Sequence, residues 1–463
     1  MKRRTVSLCM IARDEEASIG QAIKSALALV DEVIVVDTGS RDNTRIIAEG
    51  YGARIIDCEW RDDFAAARNA ALEEAFGDWI LVLDADERLQ PLRPIDFQRL
   101  LNVDRVIGYR IEVTGRPGGP GASADRPVRL FRNHPEARYR YPIHEQIVPA
   151  LAALAAAQGL VIQDADLTLV HAGSARDRAN EKRDRNLRIL RRAIQDFPAE
   201  PYFEYQLASD SLALLDDEVL PVAGSGQTLA ALLSAWQKLQ ALPAAERVRL
   251  PYGPDLAAKV AGCQAALGDP AAARESVEAA RQLYGDEPRL LLAGIAATTG
   301  LLVESAVELP PAEVRRRLQR TRAEIALLRE RGAAPSSLFA DLRRRDLYPL
   351  RYEGELALVE GRVEEAAELF EKALTVDGGY SAAWLGLAEC ARYAGDRKRA
   401  LQLYLRAVTA NEANPRAWLR GGDVLDELGF HDNAASWRRQ VALRFPEHPA
   451  CTGRAAAPLP SAT

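Results

Sequence analysis

Several signals that disclose a function from composition alone are missing from this sequence. It has only five cysteines, Cys9, Cys58, Cys263, Cys390 and Cys451, none in a CxxC pair and none clustered with histidine. That scatter excludes a zinc knuckle or a disulfide framework and fits a reducing compartment. The first loop lacks GxGxxG, and no GxxxxGK[ST] occurs, which removes a dinucleotide fingerprint and a phosphate-binding P-loop. Long apolar runs are absent as well. The N-terminal run returns to charge at Arg13–Glu16, too soon for a spanning helix or a secretory leader. The expectation is a cytoplasmic protein with no integral membrane segment, at most peripheral at the inner face of a membrane. Neither charge dominates: 60 Lys and Arg stand against 66 Asp and Glu, a net charge of −6. Nucleic acid is therefore not expected as a partner.

What is present is a chain of 463 residues, 48% apolar and 27% charged, enough for two or three globular domains. Its texture changes along its length. Up to roughly residue 175, short apolar strands (Thr5–Ile11, Val33–Val36, Arg54–Ile56, Trp79–Leu83) alternate with helical stretches (Ser18–Leu29, Thr44–Glu49, Asp63–Ala75). Ser18 is a candidate cap for the first of these helices. Strands that are apolar throughout and separated by helices predict a parallel sheet covered on both faces. Such sheets bind ligands at the carboxyl ends of their strands. The polar clusters Arg13–Glu16, Asp37–Ser40 and Asp84–Glu87 fall there. β-rich pieces follow at Ile107–Thr114, Val128–Phe131 and Ile162–Val170, with the Gly/Pro stretch Arg116–Ala122 expected as a mobile flap.

Beyond about Ala179 the pattern is helical. Gly361, Gly395 and Gly429 are 34 residues apart, as are Ala366, Ala400 and Ala434, and the step is kept by Phe370/Tyr404, Ala373/Ala407 and Trp384/Trp418. A 34-residue period with small residues where helices cross is the tetratricopeptide signature. Three repeats are expected over Leu347–Pro446, with a looser copy near Asp255–Gly285. The expected domains are 1–178 catalytic, 179–346 helical with degenerate repeats, 347–450 tetratricopeptide, and 451–463 a disordered tail. The Arg-rich run Arg315–Arg331 reads as a solvated helix laced with Glu, with acidic lipid headgroups as the alternative contact.

The sharpest chemical feature is Asp84-Ala85-Asp86-Glu87 behind Leu81-Val82-Leu83. Two carboxylates one residue apart at a strand exit can place oxygens around Mg²⁺ or Mn²⁺, which in turn neutralises a diphosphate. A solvated turn is the competing reading. Four segments together resemble family 2 glycosyltransferases of the GT-A fold: Ser7–Glu16, Val35–Thr44, Phe64–Asn69 and Asp84–Glu87, in the family's order. The subgroup resembled also carries C-terminal tetratricopeptide repeats. The fold class expected is thus an α/β GT-A nucleotide-sugar-binding domain followed by an all-α repeat region.

That resemblance implies roles for particular residues. Asp37 accepts from a uracil N–H, unless it serves as a structural cap. Arg68 approaches the base or diphosphate, unless it is an exposed helix residue, and Asn69 is either a contact or a packing residue. Asp84 holds the ribose or, with Asp86, the metal, and Glu87 is either part of this set or solvated. Arg13 and Glu15 flank the nucleotide or form an ordinary surface loop. His171 is a further metal-ligand candidate, although the following Ala172-Gly173-Ser174 lacks the aromatic usual in the subgroup. For an inverting displacement the acceptor needs a general base, and Glu145 is the candidate with His144 orienting it. The implied function is metal-dependent transfer of a hexosyl or related sugar from a nucleoside-diphosphate donor, UDP-linked, to a peptide, glycan or lipid-linked acceptor. The repeats would help to choose that acceptor or hold a protein partner in their groove. The alternative is a repeat scaffold with a degenerate, inactive transferase domain.

Overall fold

A computed structural model describes residues 3–114, 126–171, 179–213, 226–247, 250, 252–305, 308–331, 346–412, 414–448 and 450–451. The expected flap, Ala172–Ser174 and all but Cys451 of the expected tail lie outside these residues. The chain divides into two compact units, Met1–Asp196 and Phe197–Thr463.

The first unit runs β1 (Val6–Ala12), α1 (Ile19–Ala26), β2 (Glu32–Asp37), α2 (Thr44–Gly50), β3 (Arg54–Asp57), α3 (Phe64–Glu74), β4 (Trp79–Val82) and β5 (Glu87–Leu89). It continues through α4 (Pro94–Leu101), β6 (Val106–Thr114), β7 (Val128–Arg132), α5 (Val148–Gln158), β8 (Val161–His171) and α6 (Ala179–Asp196). One eight-stranded sheet takes the order β3-β2-β1-β4-β7-β6-β8-β5. The four strands read from the apolar runs are parallel to one another, while β7 enters antiparallel between β4 and β6.

The unbroken apolar runs of β1, β2 and β4 follow from two-sided burial. Val6, Leu8, Met10 and Ala12 point to one face, packing with Ile19, Ala22, Ile23 and Ala26 of α1 and with Phe97 and Leu101 of α4. Cys9, between them, faces Ala67, Ala71 and Leu72 of α3. Gly77 allows the chain to enter β4 close against β1: a Cβ there would stand 2.6 Å from the Ser7 nitrogen. Ser18 does not cap α1. Its hydroxyl instead donates to the Glu15 carboxylate at 2.7 Å, so the helix begins one residue later than the sequence suggests and ends at Ala26.

The second unit is helical throughout its described residues: α7 (Pro201–Ala213), α8 (Gly226–Ala241), α9 (Ala244–Arg247), α10 (Gly253–Ala266), α11 (Pro270–Tyr284), α12 (Pro288–Ser305) and α13 (Pro311–Arg331). The helices α14 (Leu347–Val359), α15 (Val363–Val376), α16 (Ser381–Tyr393), α17 (Arg397–Ala410), α18 (Pro415–Glu427) and α19 (His431–Arg444) complete it as three pairs. The 34-residue glycine step has a backbone cause. Gly361, Gly395 and Gly429 have φ of 77°, 77° and 83°, the left-handed region that glycine enters without a Cβ clash. Each closes the same C-terminal motif, in which the next residue's N–H reaches the carbonyl five residues back: Arg362 to Ala357, Asp396 to Ala391, Phe430 to Leu425.

Gly268 (φ 84°) repeats the motif through Asp269 to Gln264, so the looser copy between α10 and α11 uses the same turn. Ala366, Phe370 and Ala373 are fully buried, as are Ala400, Tyr404 and Ala407 in the next repeat and Ala273, Val277 and Ala280 in the looser one. The Arg-rich α13 pairs within itself and with α11: Arg317 with Glu313 at 2.6 Å, and Arg320 with Glu278 of α11 at 2.7 Å. No helix among the described residues is long and apolar enough to cross a membrane.

Candidate active site

Because β1, β2 and β4 are parallel, their carboxyl ends open on one edge of the sheet. The loops after β1 and β2 are stitched together there. Arg41 N–H donates to Asp14 at 2.7 Å, Asp14 N–H to the Ser40 hydroxyl at 3.0 Å, and Glu15 N–H to the Thr44 hydroxyl at 2.7 Å. Asp14 takes the left-handed backbone (φ 54°) that an Asp tolerates better than most residues. The loop pair carries Arg13, Glu15 and Asp37. Arg13 is exposed, and Glu15 accepts from Ser18. Asp37 is 3% exposed and accepts from the N–H groups of Gly39 (3.4 Å) and Ser40 (3.2 Å), with Arg45 at 3.4 Å. Its carboxylate therefore shapes its own loop. These bonds are long, and a carboxylate accepts about four in all.

A second group forms where β4 ends. Asp63 caps α3 by accepting from Ala66 N–H at 2.9 Å, and the helix presents Arg68 on its buried side. Arg68 Nη2 donates to Asp84 Oδ1 at 2.8 Å, and Nε donates to Glu145 Oε1 at 2.5 Å. Arg129, from β7, donates to Asp84 Oδ2 at 2.7 Å and to Glu87 Oε1 at 3.0 Å. Glu87 is fully buried and also accepts the Asp84 N–H at 3.1 Å. The result is an alternating chain of charges, Glu87–Arg129–Asp84–Arg68–Glu145. Burial opposes charge at Asp84, but the two guanidiniums outweigh it and hold that carboxyl well below the ordinary range. Arg68 and Arg129 are in turn kept charged by their carboxylate partners against the cost of burial.

The Tyr139 ring supports Arg68 at 5.5 Å, and burial pushes its hydroxyl up to about 12. Asn69 bonds both backbone groups of Tyr139, at 2.8 and 3.0 Å, which makes it a packing residue here. Glu145 leaves a turn in which Tyr141 and His144 have positive φ (77° and 51°).

A third group lies on the edge pair β5–β8. Glu87 is register partner to His171, and the neighbouring Asp86 brings Oδ1 to 3.5 Å from His171 Nδ1. Both side chains are about one-fifth exposed (21% and 19%), so they remain open to a ligand. Among the described residues no cluster of three or more His, Cys, Asp or Glu suits a metal ion. Two donors nevertheless fit a divalent cation of the Mg²⁺ or Mn²⁺ type, which takes one or two protein ligands and fills its shell with water and phosphate oxygens. Asp84, two residues before Asp86, has both its oxygens engaged by guanidiniums.

The sequence-predicted residues thus fall into three sets: Arg13, Glu15 and Asp37; Arg68, Asp84 and Glu145; Asp86 and His171. Two alternatives weighed from the sequence are corrected, since Arg68 is buried rather than an exposed helix residue and Glu87 is buried rather than solvated. Sequence reading placed Arg129 in the segment Arg129–Asn133, which resembles part of the subgroup's pattern, but gave it no role, and it missed Tyr139. Arg129 did leave a signal, being a cation between Val128 and Leu130 in an apolar strand, where it must be paired. Tyr139, in an irregular segment, left none.

Residues 7–149 match the family model of glycosyl transferase family 2, and residues 357–420 match that of the tetratricopeptide repeat. The N-terminal unit therefore carries a family 2 glycosyltransferase domain, and the C-terminal unit carries tetratricopeptide repeats. A TPR repeat-containing protein of Synechococcus elongatus is 38% identical over 201 residues, which are 42% of this chain and 50% of that protein. The lipopolysaccharide core biosynthesis glycosyltransferase LpsC of Rhizobium meliloti is 32% identical over 31% of this chain and 57% of its own length. An uncharacterized glycosyltransferase of Rickettsia felis is 37% identical over 23% and 39% respectively. The chain spans about half or less of the length of the first of these relatives. Among solved structures, glucosyl-3-phosphoglycerate synthase of Mycobacterium tuberculosis with Mn²⁺ and UDP-glucose covers 40% of this chain and 77% of its own, at 23% identity and a TM-score of 0.33.

Proposed function

We propose that this protein is a metal-dependent, inverting glycosyltransferase that moves a sugar from a UDP-linked donor to an acceptor chosen with the help of the repeats. The observation that carries the reading is the hydrogen-bonded chain Glu145–Arg68–Asp84, which links the candidate base to the candidate nucleotide residue beside the Asp86–His171 pair. Asp37 accepts from the uracil imide, using the acceptor capacity left by its loop. Asp84, fixed by two guanidiniums, takes a ribose hydroxyl. Asp86 and His171 hold the divalent cation, which when bound supplies counter-charge to the leaving diphosphate. Glu145 removes the proton from the acceptor hydroxyl or thiol as that group attacks the anomeric carbon, with His144 at the same turn orienting it. Arg68 fixes one oxygen of Glu145 and so aims the other. Peptide, glycan and lipid-linked acceptors all suit this chemistry. The alternative, a repeat scaffold with an inactive transferase domain, draws on the same engagement of Asp84 by Arg68 and Arg129.

One experiment separates the two. UDP-sugar hydrolysis in Mn²⁺ by the wild type, lost in Asp86→Asn while the circular dichroism is unchanged, supports the transferase. No hydrolysis of any UDP-sugar by the folded wild type, together with no calorimetric binding of UDP, supports the scaffold.

A further inference from the structure

Within the second unit, α12, α14, α16 and α18 line a groove of about 570 Å³. Leu302, Leu358, Val359 and Leu385 give it apolar walls. Three charged residues interrupt them, Glu355, Glu389 and Arg416. Each carboxylate already has a cation within the fold. Glu355 accepts from Arg351 at 3.1 Å, and the buried Glu389 pairs with Arg420 at 3.9 Å, beside the Tyr404 phenol. Arg416 is different. It stands in the first turn of α18, is half-buried, and makes no ion pair or hydrogen bond among the described residues. The charge that the groove leaves unanswered is therefore positive, and one guanidinium carries it.

A guanidinium holds five N–H donors in a planar fork that matches a carboxylate, and partial burial strengthens that pairing. The place of Arg416 adds to the preference. The first turn of a helix carries partial positive charge, so an anion is favoured there over a second cation. The walls fix the rest of the partner. They suit aliphatic side chains and offer little to a sugar hydroxyl. α14, α16 and α18 are the first helices of three successive pairs, so the groove crosses the repeats as an extended chain would. Aliphatic side chains and one carboxylate on an extended backbone describe an acidic peptide.

We infer that the repeat groove is a recognition site for an extended peptide in which an aspartate or glutamate is flanked by aliphatic residues, its side-chain carboxylate received by Arg416. The inference deepens the acceptor-selection reading and rests on it only for the peptide's role as acceptor. Binding itself involves neither donor sugar nor metal.

The test uses the full-length protein and a fluorescein-labelled peptide amide, Ala-Leu-Glu-Leu-Ala, read by polarisation; blocking both ends leaves the glutamate as its one carboxylate. Saturable binding is expected, falling at least ~10-fold when glutamine replaces the glutamate and by a similar factor in Arg416→Gln, each being the loss of one charged hydrogen bond. Arg416→Glu reverses the charge and should prefer the lysine form of the peptide. That arm shows a gain, which a variant that merely misfolds cannot give. The proposal is overturned by equal binding of the glutamate and glutamine peptides, by no saturation in the millimolar range, or by unchanged affinity in Arg416→Gln. It is equally overturned if the wild type prefers the lysine peptide, since Glu355 and Glu389 would then set the field of the groove. Decanoate binding more tightly than the peptide would assign the groove to a fatty acid and overturn it as well. The assay contains no UDP-sugar and no Mn²⁺, so failure here is read separately from failure of the transferase reading.

Discussion

Each unit sets a carboxylate among buried side chains, Asp84 partly exposed and Glu389 buried, and the two are treated differently. Asp84 sits between Arg68 and Arg129, with bonds of 2.8 and 2.7 Å, and those cations are themselves shared with Glu145 and Glu87. Glu389 is closed off from solvent, with the Arg420 Nε at 3.9 Å and the Tyr404 phenol, raised by burial and by the Glu389 charge, beside it. The first arrangement is a finished platform: every charge in it is paired inside the protein, and Asp86 and His171, proposed above to hold the metal, are partly exposed beside it. The second rests on one looser ion pair. Where two close guanidiniums hold the charge, substitution should cost more stability than where one looser ion pair does.

The largest expected effect is catalytic. Asp86→Asn should lower donor turnover by about 10²–10³-fold, the size typical of removing one group that stabilises developing charge. A steady-state assay in Mn²⁺ checks it. Of similar size, Glu145→Gln should cost about 10²–10³-fold in transfer while UDP affinity by calorimetry stays within twofold, because a base acts on the transition state.

Next comes the structural contrast. Asp84→Asn leaves two buried guanidiniums short of counter-charge and should lower unfolding free energy by roughly 3 kcal/mol in urea. Glu389→Gln, which gives up a single looser ion pair, should lower it by less. Equal losses in the two variants would erase the distinction drawn between the carboxylates. The pH dependence sharpens it. The Asp84 carboxyl is held below its unfolded value, so its stabilisation is complete above the ordinary Asp value of about 4 and is lost only as pH falls through the depressed folded value. Wild type and Asp84→Asn should therefore converge in stability only in strong acid. Convergence near pH 5 would contradict the ion-pair account.

How much of this the sequence disclosed differs between the units for physical reasons. The repeats were legible because one backbone requirement, a left-handed residue after every second helix, recurs at Gly361, Gly395 and Gly429 and writes a fixed period. The strand ends were legible because a buried parallel strand is uniformly apolar and its polar exit stands out. The links between distant segments were not legible. Nothing local to Arg68 indicates that it reaches Asp84, 16 residues on, and Glu145, 77 residues on. The Ser18 cap failed because Glu15 competes for the same hydroxyl. Glu389 gave no warning, since a Glu in a helix of mixed character normally faces solvent.

The smallest expected effect tests the period itself. Gly395→Ala places a Cβ at φ 77° and should cost about 1–2 kcal/mol without altering UDP binding. A loss of UDP binding in that variant would mean that the two units are less independent than their separate charge arrangements imply.

The central claim is that Asp86, with His171, is where metal and diphosphate meet. Calorimetric titration of UDP in Mn²⁺ and in EDTA, for the wild type and Asp86→Asn, addresses it most directly. The account predicts that Mn²⁺ tightens UDP binding at least ~10-fold in the wild type and that this gain disappears in Asp86→Asn, while the weak binding in EDTA is the same for both. A Mn²⁺ gain of equal size in the two proteins would contradict it.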